Sequence, residues 1–168
     1  MLIRQGKSED VSVVMELVRR VVPSMRASGN LQWDDAYPNA AVFEEDVQAE
    51  QLWLAEIDGQ IAGVAAITTD QSPEYADAGM NIAETAIVVH RLAVDPTFRG
   101  QGIAAALMLQ AETVAQQREI TVLRIDTNTE NQATQKLFPK LGYIFTGEIG
   151  LSHRPGLRFL CYEKRLSK

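Results

Sequence analysis

Apolar positions along the chain follow two different periods. Val88-Val89-His90-Arg91-Leu92-Ala93-Val94 is a largely β-branched run that reads as a strand and stops at Asp95-Pro96, where proline fixes φ and removes a ladder donor. From Ile103 the period lengthens. Ile103, Leu107, Ala111 and Val114 recur at three- and four-residue spacing, with Gln110, Glu112, Gln116 and Gln117 on the other faces, which predicts an amphipathic helix. Between strand and helix lies a glycine-punctuated turn, Arg99-Gly100-Gln101-Gly102. Backbone N–H groups there, and in the first helical turn, can approach a ligand closely at the positive end of the helix dipole. Such a loop suits a pyrophosphate.

The rest of the pattern surrounds that unit. Leu2-Ile3-Arg4 predicts a first strand. Ser8, followed by Glu9 and Asp10, predicts the cap of a helix bearing Val11, Val14, Met15, Val18 and Val22, which Pro23 is expected to end. Residues 24–39 show little periodicity, and residues 40–50 predict a short helix with Val42, Phe43 and Val47 on its apolar side. Residues 52–57 and 60–68 alternate on either side of Asp58-Gly59, a strong hairpin signal. The acidic connection over residues 70–83 reads equally as a lid or a disordered connector. Residues 121–125 predict a strand, residues 131–141 a helix that Pro139 should kink or shorten, and residues 143–149 with 157–163 a closing hairpin. No repeat or linker interrupts the chain, so one domain over residues 1–168 is expected.

Arg99-Gly100-Gln101-Gly102-Ile103-Ala104 matches the Arg/Gln-x-x-Gly-x-Gly/Ala signature of the GNAT superfamily of acyl-CoA-dependent N-acetyltransferases, with Leu92-x-Val94-x-Pro96 ahead of it as in that family. Asn131, Leu137, Phe138, Leu141, Gly142 and Tyr143 resemble a second family motif. The resemblance implies an α/β fold of mixed α+β character. Its centre would be a twisted mixed sheet of about seven strands with about four helices, splayed between the fourth and fifth strands.

Charge adds an asymmetry. Residues 1–84 hold 15 acids and 5 bases, whereas residues 85–168 hold 7 acids and 11 bases, for a net −6. A polyanionic cofactor would be steered to the second half and a cationic acceptor to the first, although segregated surface charge gives the same count. The overall acidity argues against a nucleic-acid partner. No apolar run approaches the ~20 residues of a membrane span, and the first residues lack the apolar stretch of a signal peptide, so a cytoplasmic protein without a membrane partner is expected. Cys161, the only cysteine, excludes an intrachain disulfide and reads as a small buried hydrophobe. No metal is expected.

On the resemblance, the cofactor is acetyl-CoA. Backbone groups of Leu92, Ala93 and Val94 would pair with its pantetheine arm, N–H groups of Gly100, Gln101, Gly102, Ile103 and Ala104 would hold the pyrophosphate, and Arg99 would add a charged contact. Asn131 matches an amide that contacts the cofactor, and can also cap the following helix. Phe138 stands where many relatives carry a tyrosine that serves the departing thiolate; its ring can still pack against the cofactor, and the general acid is left unassigned. Transfer to an amine needs a neutral nucleophile, and a free alkyl ammonium titrates near ~10.4. His90 is the candidate base, because arylalkylamine members of the family are similar here and strand alternation would put Val88, His90, Leu92 and Val94 on one face. A hydrogen-bonded core histidine is the plainer reading, and Glu84 is the second candidate base. In residues 24–39, Trp33, Asp34, Asp35 and Tyr37 could hold an ammonium by charge and cation–π contact, and several bacterial members look similar there. The expected function is acetyl transfer to a primary amine of a small molecule by direct attack in a ternary complex. Alternatives are a catalytically silent acyl-CoA-binding module, which Phe138 keeps open, and an enzyme acting on protein or peptide amines. A homodimer through the edges of the terminal hairpin is compatible with the resemblance.

Overall fold

Alternation along the strands builds a core on each face of a single sheet. In the computed structural model, which describes residues 1–167, seven strands take the order β1-β2-β3-β4-β5-β7-β6. In chain order the elements are β1 (Leu2–Gln5), α1 (Val11–Ala27), α2 (Ala40–Gln48), β2 (Leu52–Ile57), β3 (Gln60–Thr68), β4 (Ile87–Val94), α3 (Ile103–Gln117), β5 (Val122–Asn128), α4 (Gln132–Lys140), β6 (Ile144–Leu151) and β7 (Arg154–Arg165). Neighbours are antiparallel except β4 and β5, which are parallel. The sheet is therefore mixed, as expected, and α-helices pack on both faces.

Along β3, Ile61 and Val64 meet Val14, Leu17 and Val18 of α1 and Phe43 of α2, whereas Ala62, Ala65 and Ile67 meet Ile103, Leu107 and Met108 of α3. The alanines on the second face, with Gly63 beside them, bring α3 close to the sheet. A Cβ at Gly63 would lie 2.5 Å from Ile103 Cγ2 and 3.3 Å from the Ala93 carbonyl oxygen. Gly63→Ala should therefore cost about 1–3 kcal/mol of stability through overpacking. Because Ile103 begins α3, the substitution should also weaken whatever the N-terminus of that helix binds; thermal melts and ligand titration check the two effects.

Several boundaries differ from the sequence pattern. Pro23 does not end α1, which continues to Ala27, whereas α4 holds Pro139 and ends at Lys140, before Gly142, as expected. Each proline forfeits one intrahelical N–H bond, but burial on both sides of the break holds the helix: Val21, Val22 and Met25 pack into one core, and Phe138 into the other. Ser8 belongs to a 3₁₀ turn before α1 and bonds Glu44, while Asp10 accepts the Lys7 N–H at 2.8 Å and a two-pronged contact from Arg4 at 2.8 and 2.9 Å. The connection over residues 70–83 is ordered: Tyr75, Ala78 and Met80 are buried in a third cluster with Val88, Phe159 and Cys161. Arg124, wholly buried, donates to the Asn81 carbonyl at 3.0 Å and to the Gln71 and Glu163 side chains.

Two features of β4 prepare the site. Its register against β3 runs from Ala66↔His90 to Val64↔Ala93, so one extra residue is inserted, and Arg91 there has φ +52°. This bulge overturns the expectation that His90, Leu92 and Val94 share a face. His90 keeps the side of Val88, whereas Leu92 and Val94 turn to the core beneath α3. A bulge also bends its strand. Among the described residues β4 and β5 pair only at Ile87↔Leu123 and Val88↔Arg124, after which they diverge.

Candidate active site

Where β4 and β5 part, a cleft of about 750 Å³ opens between β4, the start of α3 and the start of α4. Leu92, Ala93, Val94, Arg99, Gly100, Gly102, Ile103, Ala104 and Asn131 all line it. Gly100 and Gly102 have φ +79° and +75°, and a Cβ at either would meet no atom within 4 Å. Gly102 is the N-cap residue of α3 and brings no side chain to satisfy the helix end. The backbone bond that opens the helix runs from Ala106 N–H to Gly102 O at 3.0 Å, so the N–H groups of residues 103–105 remain as donors beside the cleft. An unpaired strand edge and an uncapped helix N-terminus fit a long ligand with amide groups at one end and phosphate at the other.

The remaining predicted cofactor residues divide. Arg99 is exposed at the rim and bonds Ser24 of α1. Asn131 caps α4, its side-chain oxygen accepting Thr134 N–H at 3.2 Å, which leaves its NH₂ as a donor. Gln101 is exposed and does not line the cleft. Phe138 does not line it either: the ring is wholly buried, with centroids 6.0 Å from Tyr143 and 5.4 Å from Tyr162. It is a core side chain that reaches only a narrow passage deeper in the molecule.

That passage, about 70 Å³, shares Leu92, Asn131 and Thr134 with the first cleft. It also shares Gln32, Trp33, His90, Arg91 and Asp126 with a second cleft of about 390 Å³. On the side of the first cleft, the Thr127 and Thr134 hydroxyls lie 2.7 Å apart. On the side of the second, His90 Nε2 lies 2.8 Å from the Asp70 carbonyl oxygen. A carbonyl only accepts, so the neutral ring carries its proton on Nε2 and leaves Nδ1 as an acceptor. Asp126 receives the Tyr75 hydroxyl at 2.5 Å. Burial pushes the Asp126 carboxyl up, opposed by the Tyr75 bond and by positive charge on His90 and His153. Tyr75 is pushed well above its ordinary value by burial and by Asp126.

The acceptor loop is used differently from its sequence pattern. Trp33 and Tyr37 do line the second cleft, but Asp34 and Asp35 do not. Asp34 Oδ1 accepts the Ala36 and Tyr37 N–H groups at 2.8 and 3.0 Å, and Oδ2 lies 3.3 Å from Arg154 Nη1, contacts that hold its carboxyl below the usual range. Its short side chain folds the loop instead of facing a ligand, while Asp35 is exposed. The Tyr37 ring faces Arg154, 5.3 Å away, so its cation is the protein's own.

Glu84 also departs from its assignment. It lines none of the three clefts, and its carboxylate receives Arg165 at 2.9 and 2.7 Å and Arg124 at 3.2 Å. The Arg165 contact lowers its pKa, the opposite of what a base requires. Glu84→Gln should leave turnover unchanged in a steady-state assay. Burial raises the Cys161 thiol to about 12, which keeps it unreactive near neutrality.

Sequence pattern missed Asp126, Thr127, Thr134, Arg91 and Arg154. For Asp126 a signal existed: Arg124-Ile125-Asp126-Thr127-Asn128 carries polar residues where a buried strand should not, and the strand runs through them.

A family model described as Acetyltransferase (GNAT) family matches residues 18–143. The chain is 26% identical over 144 residues to the uncharacterized N-acetyltransferase YesJ of Bacillus subtilis, spanning 83% of this chain and 79% of that protein. Among solved structures, a GNAT-family acetyltransferase from Streptococcus agalactiae is 26% identical, with a TM-score of 0.82 over 99% of this chain and 96% of that one. The yncA protein of Salmonella typhimurium, solved with its cofactor acetyl-CoA, shares the fold at 17% identity, with a TM-score of 0.72 over 100% and 95% of the two chains.

Proposed function

Since this chain belongs to the acetyltransferase (GNAT) family and is thus an N-acetyltransferase that uses acetyl-CoA, we propose that it acetylates a primary amine of a small molecule by direct attack in a ternary complex. The observation that carries this reading is the passage where β4 and β5 part, which meets the walls of one cleft suited to the cofactor and of another suited to an acceptor. Acetyl-CoA supplies the thioester-activated acetyl group. Residues 92–94 and the free N–H groups of residues 103–105 would hold it, with Arg99 at the rim. The 390 Å³ of the second cleft suits a small molecule better than a peptide chain.

The amine enters as an ammonium and must lose a proton before it can attack. His90 accepts that proton on Nδ1, with Nε2 fixed by the Asp70 carbonyl. Asp126 lies on the same walls, and its carboxylate form is favoured when His90 is charged, so a proton gained by the ring stabilises the neighbouring anion. The Thr127 and Thr134 hydroxyls are bonded to each other, and Thr134 also reaches the Asn131 carbonyl at 3.1 Å, so the Thr127 hydroxyl is the one that could turn to the cofactor side, where Phe138 has none. Steady-state kinetics of thiol release with both substrates varied test the scheme. Intersecting double-reciprocal lines are expected; parallel lines would mean a covalent acetyl-enzyme and overturn direct attack.

A further inference from the structure

The second cleft is lined by two guanidinium groups, which a pocket for a simple amine does not require. We propose that it reads a carboxylate on the acceptor through Arg154, so that the molecule acetylated bears an amine and a carboxylate together, as an amino acid does. The inference rests on the acetyl-transfer reading above and narrows it to a substrate class.

Two guanidinium groups line the cleft, and they are in different states. Each nitrogen of Arg91 has a partner: Nε and Nη2 donate to the two oxygens of buried Asp46 at 2.8 and 2.6 Å, and Nη1 lies 3.3 Å from the Tyr37 hydroxyl. Arg154 is not. Its one hydrogen-bond contact is the 3.3 Å approach of Nη1 to Asp34 Oδ2, and its Nη2 is buried with no partner among the described residues. A guanidinium presents five N–H donors in a rigid plane, and leaving buried donors unpaired costs about 1–3 kcal/mol. The Arg154 side chain is still 19% exposed, and its Nε, which has no partner among the described residues and is not buried, is open to an acceptor that arrives with the ligand.

The carboxylates around Arg154 provide only the single Asp34 contact. Asp34 has committed Oδ1 to two backbone N–H groups, Glu74 holds Ser152 N–H at 3.1 Å, Asp126 is bonded to Tyr75, and Asp70, on the cleft wall, makes no ion pair with Arg154 among the described residues. A carboxylate offers two coplanar acceptors that match the guanidinium fork. The Tyr37 ring, 5.3 Å from the Arg154 carbon, sets that fork in place without using its N–H groups. A polyamine would instead bring only donors and leave the unpaired Arg154 N–H groups without an acceptor. Arg154 opens β7 directly after the Ser152-His153 turn, so the terminal hairpin supplies the selectivity and β4 and β5 the reacting centre.

The test is thiol release from acetyl-CoA with matched pairs, each an amino acid and its decarboxylated amine: ornithine and putrescine, lysine and cadaverine, 2,4-diaminobutyrate and 1,3-diaminopropane. Phosphoethanolamine serves as the phosphate-bearing arm. Wild-type kcat/KM is expected to favour the amino acid of at least one pair by about 100-fold, the scale of one charged bidentate contact. Arg154→Ala should collapse that ratio toward one mainly through KM. Arg154→Lys, which keeps the charge without the fork, should recover it only in part. CoA titration by calorimetry confirms that each variant is folded. Equal use of both members of every pair, a ratio unchanged in Arg154→Ala, or a preference for phosphoethanolamine over every amino acid overturns the inference. If CoA binds but no acceptor turns over, acetyl transfer to small amines fails, and the same pairs are compared by calorimetric binding to the CoA complex. Preferential binding of the amino acids that Arg154→Ala abolishes sustains the carboxylate site, and equal or absent binding rejects it.

Discussion

Gly102→Asp should raise the Kd for CoA by about 100-fold or more while leaving the protein folded. The site it alters is built from absences: the residue at the helix N-cap has no side chain, and the donors of residues 103–105 are uncapped. An aspartate there competes for those N–H groups and brings a negative charge to the point where pyrophosphate would lie. Losing two or three charge-assisted contacts is worth about 3 kcal/mol or more, which is roughly 100-fold in affinity. The fold should tolerate the change. Aspartate is among the few residues that accept a left-handed backbone, at a cost in strain, and its Cβ would enter open space. Calorimetry of CoA binding beside thermal melts separates the two effects. Unaltered affinity would remove the loop over residues 100–104 from the cofactor site.

His90→Ala should lower kcat by about 10² to 10⁴, the usual contribution of a positioned base, with CoA affinity preserved because His90 does not line the larger cleft. The protein should remain stable: the ring is only half-buried, and its Nε2 contact is to the carbonyl of exposed Asp70. A variant with unchanged kcat would exclude His90 as the base and direct attention to Asp126 across the passage. An equal loss of turnover and CoA affinity would point instead to a collapse of the passage.

The elements legible in the sequence were those with strong local codes. Asp58-Gly59 marked the β2–β3 hairpin at its true ends, and the change from the period of β4 to that of α3 located the phosphate-type loop. Pro23 misled, because the local cost of a missing N–H is outweighed by burial of the flanking turns, which no local pattern records, whereas α4 holds Pro139 and ends before Gly142 as its pattern predicts. Asp34 misled for a related reason: its carboxylate had two uses, folding its own loop or meeting a ligand, and a nearby pair of backbone N–H groups decided between them.

What the sequence determined by itself is the frame of the larger cleft. Its walls offer backbone N–H groups and an open strand edge, and the glycines and the strand-to-helix order that expose them are written along a short continuous stretch. What only the tertiary structure decided is the acceptor half. The inserted residue at Arg91 turns His90 away from Leu92, the parting of β4 and β5 brings His90 and Asp126 onto shared walls, and the terminal hairpin carries Arg154 across to the loop holding Asp34 and Tyr37. These groups lie far apart along the chain, and their roles depend on which partners reach them first. Whether a charged side chain is spent on a neighbour or left for a ligand is settled by packing between distant segments, a property that no local pattern of residues encodes.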